Sequence, residues 1–402
     1  MLVCDSNNNV NTNKINKQGG RSMYYKIVNF WLTASGLWIS SKKRRRNILL
    51  NLTFIFCLSV GIGGSLRVCF TTTEGFAEMN ETLIQIGLMS HSLLTYSVLV
   101  YNQRKILQMY SIIENRFNNF ESLLVVKNNF RETEERSSAY MSLFLTATIA
   151  SVDISYIYAT KFFYFHLDHT EKQLLFPMDL VMERNNYTYY LIYLFEIILF
   201  LIQPTVHISS ITFCVGFMNM LSSQFSILGS AYKNLQTQVV YDVKECKDVL
   251  CQRNLGKHED VHANKLIKCY IEHHHQLIQF SKLIQSAFSI TLFDIFVTSE
   301  FMVCFSTFQT YQMFKYMSVE HLAKSICMLS ALLVHEFVYF WYGEKLNGKT
   351  ISFRDDVYSA NWYNQSERFK STFRIVQERI KKPILIEAGT IIPANLDAFI
   401  KC

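Results

Sequence analysis

Imidazoles and carboxylates are the groups in this chain that could hold a metal or relay a proton, so their placement is the first guide to chemistry. His258 and His262 stand four residues apart, the interval that puts two imidazoles on one helix face as metal ligands. His273, His274 and His275 follow on the same stretch. Three adjacent residues point in three directions around a helix, so the reading that fits is a solvated, basic-to-neutral helix face, and no metal is expected. No HExxH and no phosphate-loop motif is expected, the chain has no GxGxxG and no GxSxG spelling, and neither catalysis nor a cofactor is expected of it. A second set stands apart: Asp153, Glu196, Asp294, Glu300, Lys324, His335 and Glu336 interrupt long apolar runs. An ionisable group costs at least about 2.5–3.5 kcal/mol at the centre of a hydrocarbon layer, so such groups turn toward protein or water. Pairing inside a bundle is their first expected role, and contact with an ion or ligand the second. Glu196 and Pro204 in one run predict a kinked helix bordering a cavity.

The elements that must carry these groups are apolar runs at 47–66, 81–101, 139–160, 189–218, 283–308 and 322–342. Each comes close to or exceeds the ~20 residues an α-helix needs to cross a ~30 Å hydrocarbon core. Lys and Arg crowd the segments on one side: Lys42, Lys43, Arg44, Arg45 and Arg46 before the first run, and further clusters after the second, fourth and sixth. The other side holds Arg67, Lys161, Lys172, Arg184 and Lys315. Basic residues are retained on the cytosolic face, so the N-terminus is predicted to lie in the cytosol. Sequons at Asn80 and Asn186 fall in predicted external loops and are the glycosylation candidates; those at Asn51 and Asn364 are expected to be silent.

Composition agrees with a membrane protein. Half the residues are hydrophobic, and the formal charge of +7 is explained by collars beside the spans, with no nucleic acid as partner. The ten cysteines show no CxxC pairing, which argues against a disulfide framework or a zinc site. The expected fold is all-α: a polytopic membrane helical bundle of six full spans plus a truncated seventh, with a cytosolic helical anchor. Its parts are a cytosolic arm over 1–46 with an interfacial helix carrying Trp31 and Trp38, a bundle over 47–342 with loop helices at 219–282, an anchor over 343–390, and the start of an incomplete helix over 391–402. Aromatics gather at the outer ends of the third and fourth runs, among them Tyr156, Tyr158, Tyr190 and Tyr193. That pattern fits both an interfacial belt and the wall of an apolar ligand cavity.

The tail is the most specific part. Gly343-Glu344, Tyr358, the pair Trp362-Tyr363, an amphipathic helix from there to Lys382, Pro383, Ala388-Gly389, and then Leu396, Asp397 and Phe399 resemble the C-terminal signature of the insect odorant receptors. Gly36, Leu37 and Trp38 resemble the family's N-terminal mark, with Ile39 where a proline often follows. The resemblance implies a tuning subunit of an odorant-gated, non-selective cation channel in the plasma membrane of sensory neurons, assembled as a heterotetramer with a co-receptor subunit among membrane lipids. It implies a small volatile ligand held in the outer half of the bundle by Ile86, Met89, Ser90, Tyr156, Tyr158, Tyr190, Tyr193, Ile197, Leu322, Ile326 and Leu329. A helix from Tyr358 to Lys382, carrying Trp362 and Tyr363, would sit in the anchor where subunits meet. A pore-lining last helix is also implied, and the dozen or so residues from Ile391 to Cys402 supply roughly half of a crossing. A gustatory receptor shares this architecture. A G-protein-coupled receptor would need an external N-terminus, which the 42–46 collar opposes, and a transporter would show a repeat between halves.

Overall fold

The computed structural model describes residues 23–37, 44–71, 76–124, 130–166, 178–180, 186–245, 255–315 and 319–401. In chain order the helices are α1 (Met23–Ala34), α2 (Arg44–Thr71), α3 (Phe76–Tyr101), α4 (Gln103–Ile112), α5 (Asn118–Ser122), α6 (Phe130–His166), α7 (Asn186–Lys233), α8 (Leu235–Glu245), α9 (Leu255–Lys315), α10 (Val319–Tyr358), α11 (Glu367–Ile380) and α12 (Leu396–Lys401). A π-helical turn, Ile113–Phe117, joins α4 to α5, and a two-stranded antiparallel hairpin, β1 (Glu387–Ala388) with β2 (Ile392–Pro393), precedes α12. The result is an all-α membrane helical bundle. All six predicted spans lie within continuous helices. Among the described residues four helices are both long and apolar enough to cross a membrane, the segments Arg45–Thr71, Met79–Tyr101, Tyr187–Lys233 and Glu259–Gln312. The 61 residues of α9 reach about 90 Å, three times a hydrocarbon core, so much of that helix extends beyond any span.

The deepest packing lies where α7, α9 and α10 run together through and past one end of their apolar runs, a region we call the base. Phe213, Phe217 and Phe225 on α7, Phe280 and Phe288 on α9, and Tyr339 and Phe353 on α10 share one buried core. Aromatic rings fill it edge to face, as where Phe217 meets Phe280 with centroids 6.1 Å apart at 87°. Three helices are tied by a polar network in its flank. Lys345 pairs with Glu134 at 2.5 Å and donates to Asn219 Oδ1 at 2.8 Å, while Asn219 Nδ2 donates to Ser138 Oγ at 2.6 Å. α1 docks on α6 and α7 with Val28 and Leu32 buried, so this expected interfacial helix is part of the core packing; Trp38 lies outside the described residues. The Tyr96 hydroxyl donates to Ser35 O at 2.6 Å or Asn51 Oδ1 at 2.7 Å, linking the segment after α1 to α2 and α3.

The tail departs from the expected single helix between Tyr358 and Lys382. α10 runs without interruption through the end of the sixth span to Tyr358, a short 3-10 turn, Trp362–Asn364, follows, and α11 starts afresh at Glu367. α11 is amphipathic and buries Phe369, Phe373, Val376 and Ile380 against the base. Trp362 stacks on Phe373 with centroids 5.5 Å apart at 18°, whereas Tyr358 and Tyr363 are exposed. The hairpin is riveted to α9 by Gln285, whose amide donates to Glu387 O at 2.7 Å and accepts from Glu387 N at 2.8 Å. Its turn holds Gly389 and Thr390 at φ 61°, a left-handed pair that suits glycine at the first position. Gly389 N donates to Ser289 O at 3.0 Å, and a Cβ at Gly389 would press on the Phe293 ring. Gly343 lets the tail lie directly on α10, since a Cβ there would collide with the Ala394 carbonyl.

Candidate functional site

Above the base the five helices α3, α6, α7, α9 and α10 part around a cavity of about 130 Å³. Gly87 and a proline inside the continuous helix α7 help make the room. Gly87 allows Met302 to lie over α3, and Pro204 has no N–H to give to the turn before it. The wall is mostly apolar, with Leu88, Ile149, Ile295, Met302, Met328, Ala331 and Leu332. Its polar groups are few and come from separate helices: His91 from α3, Gln203 and His207 from α7, Thr298 and Ser299 from α9, and His335 from α10. A largely apolar concavity with a handful of convergent polar groups is the usual form of a small-molecule site.

The three histidines form a cluster. His91 and His207 stack with centroids 5.0 Å apart at 19°, and His335 meets both edge-on at 6.0 and 5.2 Å. Asp294, one of the intramembrane carboxylates expected to pair within the bundle, accepts from His91 Nδ1 at 2.6 Å. Ser92 gives its single proton to Leu88 O at 2.8 Å and therefore accepts from His207 Nε2 at 2.9 Å. That bond fixes the His207 tautomer and leaves Nδ1 as a bare lone pair. His207 Nδ1, His335 Nε2 and Gln203 Nε2 are buried without a hydrogen-bond partner among the described residues. Each is costly to leave unpaired unless a ligand supplies the missing bond.

The expected ligand residues lie on α3, α6, α7 and α10, four of the five helices around this cavity, and mostly at other depths along them. None of the nine whose side chains are described lines this cavity. Ile86, Met89 and Ser90 flank the lining residues of α3 but belong to other faces; Met89 is buried against α2 and α7 in a separate cluster with Leu58 and Leu199. Tyr190, Tyr193 and Ile197 stand on α7 between about 9 and 20 Å from the Gln203–Pro204 level along the helix, and Tyr190 is exposed. Leu322, Ile326 and Leu329 precede or interleave the α10 lining, with Ile326 turned outward. The side chains of Tyr156 and Tyr158 lie outside the described residues. α9 contributes four wall residues although the fifth span was not expected to take part. Of the glycosylation candidates, Asn80 is buried inside α3 and its amide donates to Phe305 O at 3.1 Å, so it is not free for a glycan in this conformation. Asn186 opens α7, and its side chain is outside the described residues.

Three expectations about chemical groups need correction. His273 and His274 are not a solvated face: His273 stacks on Phe120 at 3.7 Å with its Nε2 3.1 Å from Gln224 Oε1, and His274 packs on Phe353, while His275 alone of the triplet is exposed. Residues 258–262 read HEDVH, the HExxH spelling, with Glu259 exposed at the start of α9. Residues 343–350 read GEKLNGKT, the letters of a phosphate loop, yet they lie inside the continuous helix α10, where no strand-to-helix loop exists to cradle a phosphate.

Residues 75–402 match the family model described as 7tm Odorant receptor. The chain is similar to odorant receptor 2a of Drosophila melanogaster, 23% identical over 237 residues that cover 57% of this chain and 56% of the relative. It is also similar to odorant receptor 67c of the same species, 21% identical over 146 residues covering 36% and 35% of the two chains. The odorant receptor coreceptor of Harpegnathos saltator is 23% identical over 146 residues, covering 36% of this chain and 30% of that one. These alignments thus span between 30% and 56% of the relatives' length. The fold is that of the insect olfactory receptor OR5 from Machilis hrabei, with a TM-score of 0.73, 12% identity and 94% of each chain covered. The structure of the same receptor in complex with eugenol gives 0.69 at 14% identity, covering 94% of this chain and 93% of that one.

Proposed function

The chain belongs to the 7tm odorant receptor family, a family of receptors and not of enzymes, and from that premise we propose that it is the tuning subunit of a heteromeric odorant-gated cation channel. It works in the plasma membrane of sensory neurons, with its N-terminus in the cytosol and a co-receptor subunit as its partner. The observation that carries the reading is the cavity itself. A wall of aliphatic and thioether side chains excludes water, and His207, His335 and Gln203 present unpaired polar atoms that orient a ligand able to donate or accept a hydrogen bond. A small volatile with one polar group on an apolar body is the chemistry this wall recognises.

Gating follows from the placement of the site. Three of the helices that line the cavity, α7, α9 and α10, also build the base and hold α11 and the hairpin. A ligand that binds more tightly when these helices are set as in the open channel shifts the population toward that state by its difference in affinity. The base, with Trp362 half buried and Tyr358 and Tyr363 outward, is the surface on which subunits meet.

The test is whole-cell current on application of a volatile panel, with the chain co-expressed beside the co-receptor and compared with co-receptor alone. Odour-evoked current absent from the control is expected. Silence across the panel in cells with confirmed surface delivery would overturn the tuning-subunit reading.

A further inference from the structure

The histidine cluster invites a chemistry beyond hydrogen bonding to a volatile. One ring nitrogen from each of His91, His207 and His335 lies within 4.8 Å of one from each of the others. The three come from three helices, so their meeting is a product of the fold. Their other bonds are those a metal site requires. A ligating histidine normally donates its remaining ring N–H to a carboxylate, carbonyl or other acceptor, which fixes the tautomer and turns the lone pair to the metal. Asp294 takes the His91 Nδ1 proton at 2.6 Å, and Ser92 takes that of His207 Nε2 at 2.9 Å. Lone pairs remain on His91 Nε2 and His207 Nδ1, and the buried His335 Nε2 has no partner among the described residues.

We propose that His91, His207 and His335 form a binding site for a borderline transition-metal dication of the zinc class, held by three imidazoles with one coordination position open to the cavity. Three neutral nitrogen ligands suit Zn²⁺, Co²⁺ or Cu²⁺ and are a poor match for Mg²⁺ or Ca²⁺, which take oxygen. Tetrahedral coordination at 2.0–2.1 Å brings ligand nitrogens to about 3.3 Å from one another. Closing from separations of 4.8 Å or less shortens each nitrogen pair by at most about 1.5 Å, into space the cavity already provides. The fourth position then holds water. A zinc-like ion here would join α3, α7 and α10 across the ligand chamber and so bias the helices that link it to the base.

The full-length chain, purified in detergent and stripped of metal, is titrated with Co²⁺, whose visible d–d absorption is intense in tetrahedral nitrogen sites. A saturable band at one ion per chain, displaced by Zn²⁺, is expected. Substituting His207→Gln or His335→Gln should weaken cobalt binding by more than about tenfold, and Asp294→Asn by about 10- to 100-fold through loss of the His91 acceptor. The proposal is overturned if the unsubstituted protein shows no saturable band, a result that needs no variant to fold. It is equally overturned if the band persists unchanged in the His207→Gln/His335→Gln double variant, which would move the ion elsewhere, such as His258 and His262. Metal binding by the chain alone is read without odorant or co-receptor, so failure here leaves the odour-evoked current unaffected, and the reverse.

Discussion

The cavity and the base share three long helices, α7, α9 and α10, and they solve opposite problems. In the base, α7, α9 and α10 present large aromatic side chains with almost no exposure, and the charged Lys345 meets Glu134 and Asn219 within hydrogen-bond distance. One or two helical turns further along, α7 and α10 present Pro204, His207, Ala331 and His335 around a void that α3 closes with Gly87 and His91. Dense packing makes a region that resists change of shape, because a close-packed interior loses contacts on any displacement. Unpaired polar atoms beside empty space make one that gains on taking up a guest. A receptor needs the two in series along one set of helices, so that what enters the cavity is felt in the base.

The comparison breaks most visibly at Phe373. This ring is fully buried between Trp362 and Phe369 and reaches Tyr232 with centroids 6.2 Å apart. Phe373→Ala should cost about 3–5 kcal/mol, as expected for deletion of a ring from a packed core. The measurement is the thermal unfolding midpoint of the detergent-solubilised chain together with its surface delivery in cells; both should fall. Unchanged values would show that the base is not the packed region it is taken to be.

A smaller effect is expected at Gly343. It sits on α10 where the tail crosses, and the added methyl of Gly343→Ala meets the Ala394 carbonyl backbone. Backbone has little room to yield, so the hairpin should lift at a cost of about 1–3 kcal/mol. Hydrogen exchange at Glu387 and Gly389 reports this directly, since their amides are held by Gln285 and Ser289. Protection at both should drop while that of the α7 amides near Phe217 stays as it was; a uniform drop would mean that the substitution loosens the whole base.

What could be read from the sequence follows from how local each signal is. A span needs about 20 apolar residues in a row, and all six proved to lie within helices. The tail signature was legible for a related reason, since Gly343 and Gly389 mark places where backbone meets backbone or ring and only a residue without a Cβ fits. The break after Tyr358 was not legible, because residues on both sides have helical periodicity and the turn at Trp362–Asn364 carries neither Gly nor Pro. The cavity was the least legible of all. His91, His207 and His335 are more than a hundred residues apart in sequence, and only the crossing of α3, α7 and α10 brings them together. Each is a lone histidine in an apolar run, a signal that was registered for His335 and passed over for the other two. The depth of the chamber along the helices depends on Pro204 and Gly87 acting in concert, which no periodicity records.

The smallest effect on stability should come from the cavity wall, and there the contrast with the base is sharpest. Ala331 is half buried on α10 and faces the void one turn before His335. In Ala331→Leu the added methyl and methylene groups enter empty space instead of displacing neighbours. Each buried CH₂ contributes up to about 0.8 kcal/mol of favourable transfer, offset by the loss of side-chain freedom of about 0.5–1 kcal/mol for Leu. Three carbons are added at a half-buried position, so roughly half of that transfer is realised and the net change in unfolding free energy should be within about 1 kcal/mol, read as an unfolding midpoint close to that of the parent chain. The guest, however, loses the volume that the new side chain takes. Larger volatiles that evoke current through the parent chain should lose potency by tenfold or more, and the smallest should be least affected. If the substitution instead lowered the midpoint as Phe373→Ala does, the chamber would be as tightly packed as the base, and the division of labour between the two regions would fail.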